Sequence, residues 1–322
     1  MSKFKELLQQ SFKSNDTEEW LDVHFTRPIG LVFALFWNKL GIHPNAITIL
    51  SIFLGIGAGF MFYYRDLTHI VMGVLLLMFA NFCDSTDGQM ARLTGKKTLL
   101  GRVLDGFSGD VWFFCIYFAL GLRMMGQNIP LTDVKWGIWI WLFLAIAGLL
   151  CHSQQSSLSD YYRQIHLFFL KGKDNSELDN YRQQRAIYEE EKRNGTLFSQ
   201  LFYYNYANYC KSQERRTPQF QAFFKKYQDQ IRQGVNMESI KERFLDGSRP
   251  LMPYTNILTF NTRAICLYIA CLIDRPWIYP LFEMTLMHTL YIYMHREHES
   301  LCYSLSNEIS KSYVNDGKDM EK

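Results

Sequence analysis

The chain has 322 residues, of which 48% are hydrophobic, and its 34 Lys and Arg against 31 Asp and Glu give a net charge of +3. So small a net charge does not indicate a nucleic-acid-binding protein, and seven cysteines without a CxxC pair indicate neither a disulfide framework nor a zinc site. The polar N-terminus, MSKFKELLQQSFKSNDTEEW, lacks the apolar stretch of a signal peptide, so we expect no leader to be removed.

The apolar residues are concentrated in six runs. These are residues 46–64, 68–83, 111–122, 136–159, 254–273 and 276–294. About twenty apolar residues in a helix cross the ~30 Å of hydrocarbon in a bilayer. The alternative, a soluble protein with these runs as core helices, would have to bury six long spans within 322 residues. The pattern therefore predicts an all-α integral membrane protein with six transmembrane helices.

The polar segments between and around these spans define further parts of the chain. The stretch FTRPIGLVFALFWNKLG carries Arg27 and Lys39 near its two ends and predicts an N-terminal interfacial helix. About ninety polar residues between the fourth and fifth spans predict a helical insertion. The predicted parts are an N-terminal segment 1–42, transmembrane helices one to four in 43–159, the insertion 160–250, transmembrane helices five and six in 251–296, and a tail 297–322.

Basic residues in the short loops predict the orientation. The loop between the second and third spans holds Arg92, Lys96, Lys97 and Arg102, whereas the loop before the second span offers only Arg65. Because cytoplasmic loops carry an excess of Lys and Arg, this loop is predicted to be cytoplasmic. With six spans, both termini, the insertion and the active site of this multi-pass protein then share the cytoplasmic side.

Four aspartates, Asp84, Asp87, Asp105 and Asp110, lie at the ends of the second and third apolar runs. A carboxylate near the membrane is costly unless it is paired, hydrated or bound to a metal. Asp84 and Asp87 share a helix face, and an antiparallel pair of helices would bring Asp105 to them. Oxygen ligands without His or Cys select Mg²⁺ or Mn²⁺, and room for two ions suits displacement at phosphorus. The alternative is a helix end with solvated acids.

The spacing Asp84-x2-Asp87-Gly88-x2-Ala91-Arg92-x8-Gly101-x3-Asp105 resembles the signature of the CDP-alcohol phosphotransferase family. The HPN at 43–45 and the six spans are also similar to that family, over residues 25–160 and 250–296. The resemblance implies a membrane transferase that moves a substituted phosphate from a CDP-activated alcohol to an acceptor hydroxyl and releases CMP. It also suggests a homodimer. The roles implied are metal binding by Asp84, Asp87 and Asp105 and lining of the CDP pocket by Gly88, Ala91, Arg92 and Gly101.

One position departs from that family's pattern. The family's last aspartate follows the third by four residues, but here Gly109 holds that place and the acid is Asp110. On a regular helix Asp110 would lie about 140° around from Asp105. A single π-type turn near Gly106 would restore the alignment, so Asp110 is predicted as the fourth metal ligand and the catalytic base. The alternative is a structural role for Asp110, with the base supplied elsewhere.

Two basic side chains in the late spans are candidates for binding the acceptor. Arg263 lies about nine residues inside the fifth span, and His288 comes at a similar depth in the sixth. A structural pair of Arg263 with Glu283 is one interpretation; contact with a phosphate of the acceptor is the other. Within the resembled family, inositol phospholipid synthases place basic residues near the acceptor pocket, which favours a phosphorylated polyol here.

The sequence therefore predicts a membrane CDP-alcohol phosphotransferase of phospholipid or sphingolipid synthesis. Its donor would be a CDP-activated lipid such as CDP-diacylglycerol, and its acceptor a polyol such as inositol phosphate. Two alternatives stay open: an aminoalcohol phosphotransferase that uses CDP-choline or CDP-ethanolamine, and a non-catalytic metal- or nucleotide-binding membrane protein. The HREHE segment, with His295 and His298, is interpreted as a solvated helix end, with metal binding as its alternative.

Overall fold

The computed structural model describes residues 3–11, 14, 16–96, 98–173 and 176–319, and no strand forms among them. The all-helical fold predicted from the sequence is therefore observed. Lys97, one of the four basic residues used to predict the orientation, lies outside the described residues, and the side chain of Arg102 is not described either. The described residues fall into two compact units.

The first unit comprises residues 1–155 and 259–288. Its helices are α1 (Lys3–Ser11), α2 (Arg27–Lys39, after a π-helical turn at Asp22–Thr26), α3 (Pro44–Tyr63), α4 (Leu67–Thr94), α5 (Leu99–Met124), α6 (Trp139–Ala145, followed by a π-helical stretch at Ile146–His152), α13 (Phe260–Leu272) and α14 (Ile278–Phe282, followed by a π-helical turn at Glu283–Met287). Helix α7 (Ser153–Lys171) begins in this unit and continues into the second.

Local signals set the ends of the three helices that carry the motif. Pro44 occupies the first turn of α3, where its missing N–H costs nothing. Helix α4 ends at Gly95, which adopts the left-handed conformation (φ +68°) that glycine takes without strain. Thr98 caps α5 by accepting a hydrogen bond from the backbone N–H of Gly101 at 2.9 Å. The short connection from Gly95 to Thr98 therefore joins two long helices at the motif.

Glycines on α3 allow its close packing against α5. A Cβ at Gly55 would overlap the ring of Trp112, and one at Gly59 would lie 2.8 Å from the Cβ of Cys115. Two small residues four apart let helix backbones approach closely, as they do in membrane bundles. The core of the unit, which includes Leu77 and Ile116, is formed by side chains from α3, α4, α5, α6, α13 and α14.

Three of the described helices are long and apolar enough to cross a membrane: Pro44–Tyr63, Leu67–Thr94 and Leu104–Met124, with mean hydropathies of 2.0, 1.7 and 1.2. They correspond to the first three predicted spans. The other three predicted spans fall on helical segments that are short or interrupted by π turns, so the count of six stays a prediction. Helix α2 forms where the interfacial helix is predicted and exposes Val32, Phe33 and Phe36. Its place at the interface also stays a prediction.

The second unit comprises residues 156–258 and 289–322. Besides most of α7 it contains α8 (Tyr181–Asn194), α9 (Leu197–Arg216), α10 (Pro218–Arg232), α11 (Glu238–Ser248), a 3₁₀ turn (Arg249–Leu251), α12 (Met252–Ile257) and most of α15 (His288–Asp319). Its core is aromatic: the ring of Phe244 lies 4.1 Å from that of Phe169 and 5.7 Å from that of Phe223, centroid to centroid. Residues 160–250 include most of α7 and the whole of α8, α9, α10 and α11. Their status as an insertion, the division into five domains and the cytoplasmic location remain predictions.

Candidate metal centre

Three carboxylates meet where α4 faces α5. One oxygen from each of Asp84, Asp87 and Asp105 can be chosen so that the three lie within 4.8 Å of one another. Asp84 and Asp87 are on one face of α4 because they are three residues apart, and Asp105 is in the second turn of α5. The convergence predicted from the sequence is therefore observed.

Neighbouring hydroxyls contact two of the three acids, Asp87 and Asp84. The Thr48 hydroxyl on α3 donates a hydrogen bond to Oδ2 of Asp87, and both side chains are almost fully buried. On α5, Ser108 Oγ lies 3.1 Å from Oδ1 of Asp84 and 2.7 Å from the carbonyl oxygen of Asp105, so its single proton serves one of the two. Such bonds fix the orientation of the carboxylates that accept them.

The donor set fits a hard divalent cation. Three carboxylates brought this close repel one another unless a cation or protons compensate for their charge, and all their ligand atoms are oxygens. Mg²⁺ and Mn²⁺ are the ions that such oxygen sites hold, with waters and substrate phosphates completing the shell.

Asp110 does not join this cluster. Helix α5 is regular α-helix from Leu99 to Met124, so the predicted π turn is wrong. Asp110 is exposed and does not belong to the group of close carboxylates found among the described residues. The group does not support the fourth ligand position assigned to Asp110, because five regular residues carry it about 140° around the helix from Asp105. Its role as a base stays an untested prediction.

The small residues of the motif lie beside the acids. A Cβ added at Gly88 would lie 3.3 Å from Nη1 of Arg92, and one added at Gly101 would lie 3.0 Å from Oδ1 of Asn45. The motif glycines therefore bring polar atoms of Arg92 and Asn45 close to the helix backbones. Ala91 is half-buried one turn after Asp87. Lining of a nucleotide pocket by Gly88, Ala91, Arg92 and Gly101 remains a prediction.

A family comparison agrees with this geometry. Residues 41–158, which contain all three carboxylates and both hydroxyls, match the sequence model of the CDP-alcohol phosphatidyltransferase family. The chain carries a CDP-alcohol phosphatidyltransferase domain. The resemblance noted from the motif alone is thereby confirmed, and the domain covers α3, α4, α5 and the helical run that follows them.

Three curated relatives match part of this chain. The chain is 39% identical over 110 residues to archaetidylinositol phosphate synthase of Pyrococcus horikoshii, covering 34% of this chain and 51% of that protein. It is 31% identical over 113 residues to phosphatidylinositol phosphate synthase of Streptomyces avermitilis, covering 34% and 45%. An uncharacterized protein of Aquifex aeolicus is 39% identical over 70 residues, covering 22% and 34%. The chain thus spans about half or less of each relative's length, and no solved structure matches it significantly.

Arg263 lies within a buried polar network on Glu283. The Arg263 guanidinium forms an ion pair with Oε1 of Glu283, and the two side chains are 1% and 0% exposed. Its Nη2 donates to Oε1 of Gln155 at 2.9 Å. Glu283 also accepts hydrogen bonds from the hydroxyls of Tyr117 and Tyr279. This is the structural pairing that the sequence left open, and it directs Arg263 toward protein groups.

His288, the second candidate for acceptor binding, is half-buried at the start of α15, five residues after Glu283. The described hydrogen bonds of Arg263 run to Glu283, Gln155 and His152, whose Nδ1 lies 2.8 Å from Nη1 of Arg263. None of them involves His288. Acceptor binding by Arg263 and His288 is therefore still a prediction, and the observed contacts of Arg263 favour its alternative.

Thr48 was not among the predicted site residues, although the sequence carries a signal for it. Asn45, Thr48 and Ser51 interrupt the apolar run of α3 at intervals of three residues, which places them along one helix face. Polar residues so arranged in a transmembrane helix usually meet a polar partner. Thr48 meets Asp87. The partner could not be identified from the spacing, because it lies 39 residues away on another helix.

Proposed function

We propose that this protein is a membrane CDP-alcohol phosphotransferase that transfers a substituted phosphate from a CDP-activated lipid to a phosphorylated polyol. The observation that carries the proposal is the group of three converging carboxylates inside a CDP-alcohol phosphatidyltransferase domain. The acceptor class is supported by the two relatives named as inositol phosphate lipid synthases. It no longer depends on Arg263, whose observed partners are protein groups.

In this proposal Asp84, Asp87 and Asp105 hold the divalent ions, and Thr48 fixes the orientation of the Asp87 carboxylate. The bound ions would neutralise the diphosphate of the donor and the CMP oxygen that leaves. The chain's own contribution is to hold donor and acceptor in line and to keep the reacting groups out of bulk water. The donor is proposed to lie along Gly88 and Gly101, where the helix backbones carry no side chain.

The acceptor hydroxyl must lose a proton when it attacks phosphorus. The bond formed joins the acceptor oxygen to the β-phosphorus of the donor, the bond broken joins that phosphorus to the oxygen bridging to CMP, and CMP leaves with the bonding electrons. The sequence prediction gives the proton to Asp110. Because Asp110 lies outside the carboxylate group, we assign the proton to water or to a carboxylate of that group, with Asp110 as the alternative base.

The test is release of CMP by the purified protein in detergent or liposomes, with Mg²⁺ or Mn²⁺ present or chelated. CDP-diacylglycerol with inositol phosphate should give metal-dependent CMP and a new phospholipid, whereas dephosphorylated inositol should react more slowly. CMP release from CDP-choline or CDP-ethanolamine with diacylglycerol would assign the aminoalcohol reaction instead. No CMP from any CDP-alcohol, despite measured metal binding, would leave the non-catalytic alternative.

A further inference from the structure

The second unit exposes an apolar surface at the end of the helical hairpin formed by α8 and α9. We call residues 192–204, where α8 ends and α9 begins, the hairpin tip. Leu197, Phe198 and Leu201 are 83%, 64% and 62% exposed, and Tyr204 is 44% exposed. Scattered exposed hydrophobic residues are ordinary, but a contiguous apolar face on a soluble surface marks an interaction site.

The apolar face is held by regular, capped helix. Thr196 accepts a hydrogen bond from the backbone N–H of Ser199 at 3.2 Å and so caps the first turn of α9. Leu197, Leu201 and Tyr204 recur at intervals of four and three, which puts them on one side of the helix. The ring of Tyr204 packs against that of Tyr188 on α8, with 5.5 Å between centroids. The tip is therefore a fixed apolar face on a packed hairpin.

Charges on the tip distinguish between possible partners. Lys192 and Arg193, in the last turn of α8, are exposed next to the apolar face. Of the three acids that precede them, Glu189 is paired with Arg185 at 2.7 Å, Glu190 is exposed and Glu191 is half-buried. Two exposed cations and one exposed acid therefore lie beside the exposed Leu and Phe side chains. This combination is complementary to a surface with an apolar layer beneath negatively charged groups. An anionic lipid bilayer is such a surface.

Attachment of the chain to a membrane strengthens this assignment. The same polypeptide carries helices long and apolar enough to span a bilayer, so a lipid surface is always present at high effective concentration. Lys and Arg stems can lie along apolar groups while their charged ends reach the headgroups. We propose that the hairpin tip inserts Leu197, Phe198 and Leu201 into the interfacial region of an anionic bilayer. This inference requires membrane attachment but not transferase activity.

The experiment measures the depth of the tip in liposomes by site-directed spin labelling. Phe198→Cys and Leu201→Cys are labelled with a nitroxide in the full-length protein, in a background where the native cysteines are Ser or Ala. Arg182→Cys, exposed on α8 far along the chain from the tip, is the control. In vesicles of phosphatidylcholine with phosphatidylglycerol, positions 198 and 201 should lose access to a water-soluble relaxation agent and gain access to oxygen, and position 182 should not.

Access of the water-soluble agent to position 198 equal to that at position 182 would overturn the proposal. Protection of position 198 from both agents, with dipolar broadening between labels, would also overturn it and would assign the face to contact with a second copy of the chain. Changing Lys192 and Arg193 to Gln should weaken the preference for anionic vesicles by about fivefold for each charge removed.

A measurement on the unmodified chain tests the same proposal if the variant without native cysteines fails to fold. Hydrogen exchange of the peptide covering 195–204 should be slower in nanodiscs containing phosphatidylglycerol than in nanodiscs of phosphatidylcholine alone. Helix α11 serves as the internal control, and its exchange should be the same in both. Equal exchange of the tip in the two lipids would contradict the proposed role of Lys192 and Arg193.

Discussion

The guanidinium of Arg263 and the carboxylate of Glu283 form an ion pair in which both side chains are almost completely buried. Removing one member of such a pair leaves the other as an uncompensated charge, which typically costs about 3–5 kcal/mol. We expect Arg263→Ala to lower the free energy of unfolding by an amount in this range. Adding Glu283→Gln should recover much of the loss, because the double variant buries no unpaired carboxylate.

Thermal unfolding of the two single variants and the double variant in detergent measures this coupling. Arg275→Ala is the matched control, since Arg275 is exposed on the same unit and its removal should change stability by less than about 0.5 kcal/mol. The acceptor-binding alternative makes the opposite prediction. If Arg263→Ala keeps wild-type stability and raises the KM for the acceptor, Arg263 serves the substrate and the structural assignment is wrong.

The carboxylate group should make the protein's stability depend on a divalent ion. A ligand bound only by the folded state raises stability by RT ln(1 + [L]/Kd), about 2.7 kcal/mol at a hundredfold excess over Kd. Mg²⁺ or Mn²⁺ should therefore raise the melting temperature of the wild type. Asp87→Asn and Asp105→Asn should abolish that rise and most CMP release, whereas Asp133→Asn, on an exposed loop, should retain both. A full metal-induced rise in Asp105→Asn would refute the proposed site.

The hydroxyl of Thr48 is expected to support metal binding through Asp87. Loss of a group that orients a metal ligand typically reduces metal affinity or activity by about 10–100-fold. Thr48→Val removes the hydroxyl at nearly constant volume, so Mn²⁺ affinity measured by electron paramagnetic resonance should fall by about this factor. Thr48→Ser keeps a donor and should stay close to the wild type. A loss in Thr48→Ser with wild-type affinity in Thr48→Val would point to packing of the Thr methyl group instead of the hydrogen bond.

Helical periodicity made much of the site predictable. Three-residue spacing placed Asp84 and Asp87 on one face, and the short connection between two apolar helices brought Asp105 to them. The π turn before Asp110 was mispredicted because the sequence offered glycines at which a helix could distort, whereas the structure keeps a regular α-helix through them. The partner of Arg263 depends on side-chain packing between helices, with Glu283 lying 20 residues further along the chain. The sequence left two alternatives for that partner, Glu283 and a phosphate of the acceptor.

The interpretation of His298 as part of a solvated helix end was wrong for a different reason. The charged appearance of HREHE suggested a solvated helix end, but His298 is 1% exposed. The signal that would have corrected this was the spacing of His298, Cys302, Leu305 and Ile309, all buried on one stripe of α15. If His298 is assigned to that apolar stripe instead of to a charged cluster, the sequence predicts the burial that is observed.

The position of the fourth carboxylate of the motif can be tested at two adjacent residues, Gly109 and Asp110. Asp110 is exposed and outside the carboxylate group, so Asp110→Asn should keep the metal-induced rise in melting temperature and most CMP release. Gly109 follows Asp105 by one helical turn, and a Cβ there would meet no atom within 4 Å. Gly109→Asp should therefore be accommodated and should tighten Mn²⁺ binding, with Gly109→Asn as the uncharged control. Loss of activity in Asp110→Asn, with metal binding intact, would restore Asp110 as the base.

Burial of His298 should make the stability of the second unit fall at acidic pH. Its ring stacks on Tyr162 at 4.0 Å between centroids and lies near Phe220 and Phe244. Burial, reinforced by the nearby His295 and His166, lowers the pKa of His298 from its usual 6.5 to about 3. Its neutral form is therefore the one that the folded state accommodates.

Because the unfolded chain takes up a proton near pH 6.5 and the folded chain only near pH 3, this contribution to stability is complete above pH 6.5 and is lost as the pH falls toward 3. The whole shift corresponds to at most about 5 kcal/mol. His298→Phe should flatten the acid limb of the stability curve, measured by hydrogen exchange of peptides from α7 and α10 between pH 4 and pH 7 after correction for intrinsic rates. Arg296→Gln, two residues away on the exposed side of the same helix, should leave that limb as steep as in the wild type. If His298→Phe retains the wild-type slope, the acid sensitivity comes from other groups, with His295 and His166 the next to be changed.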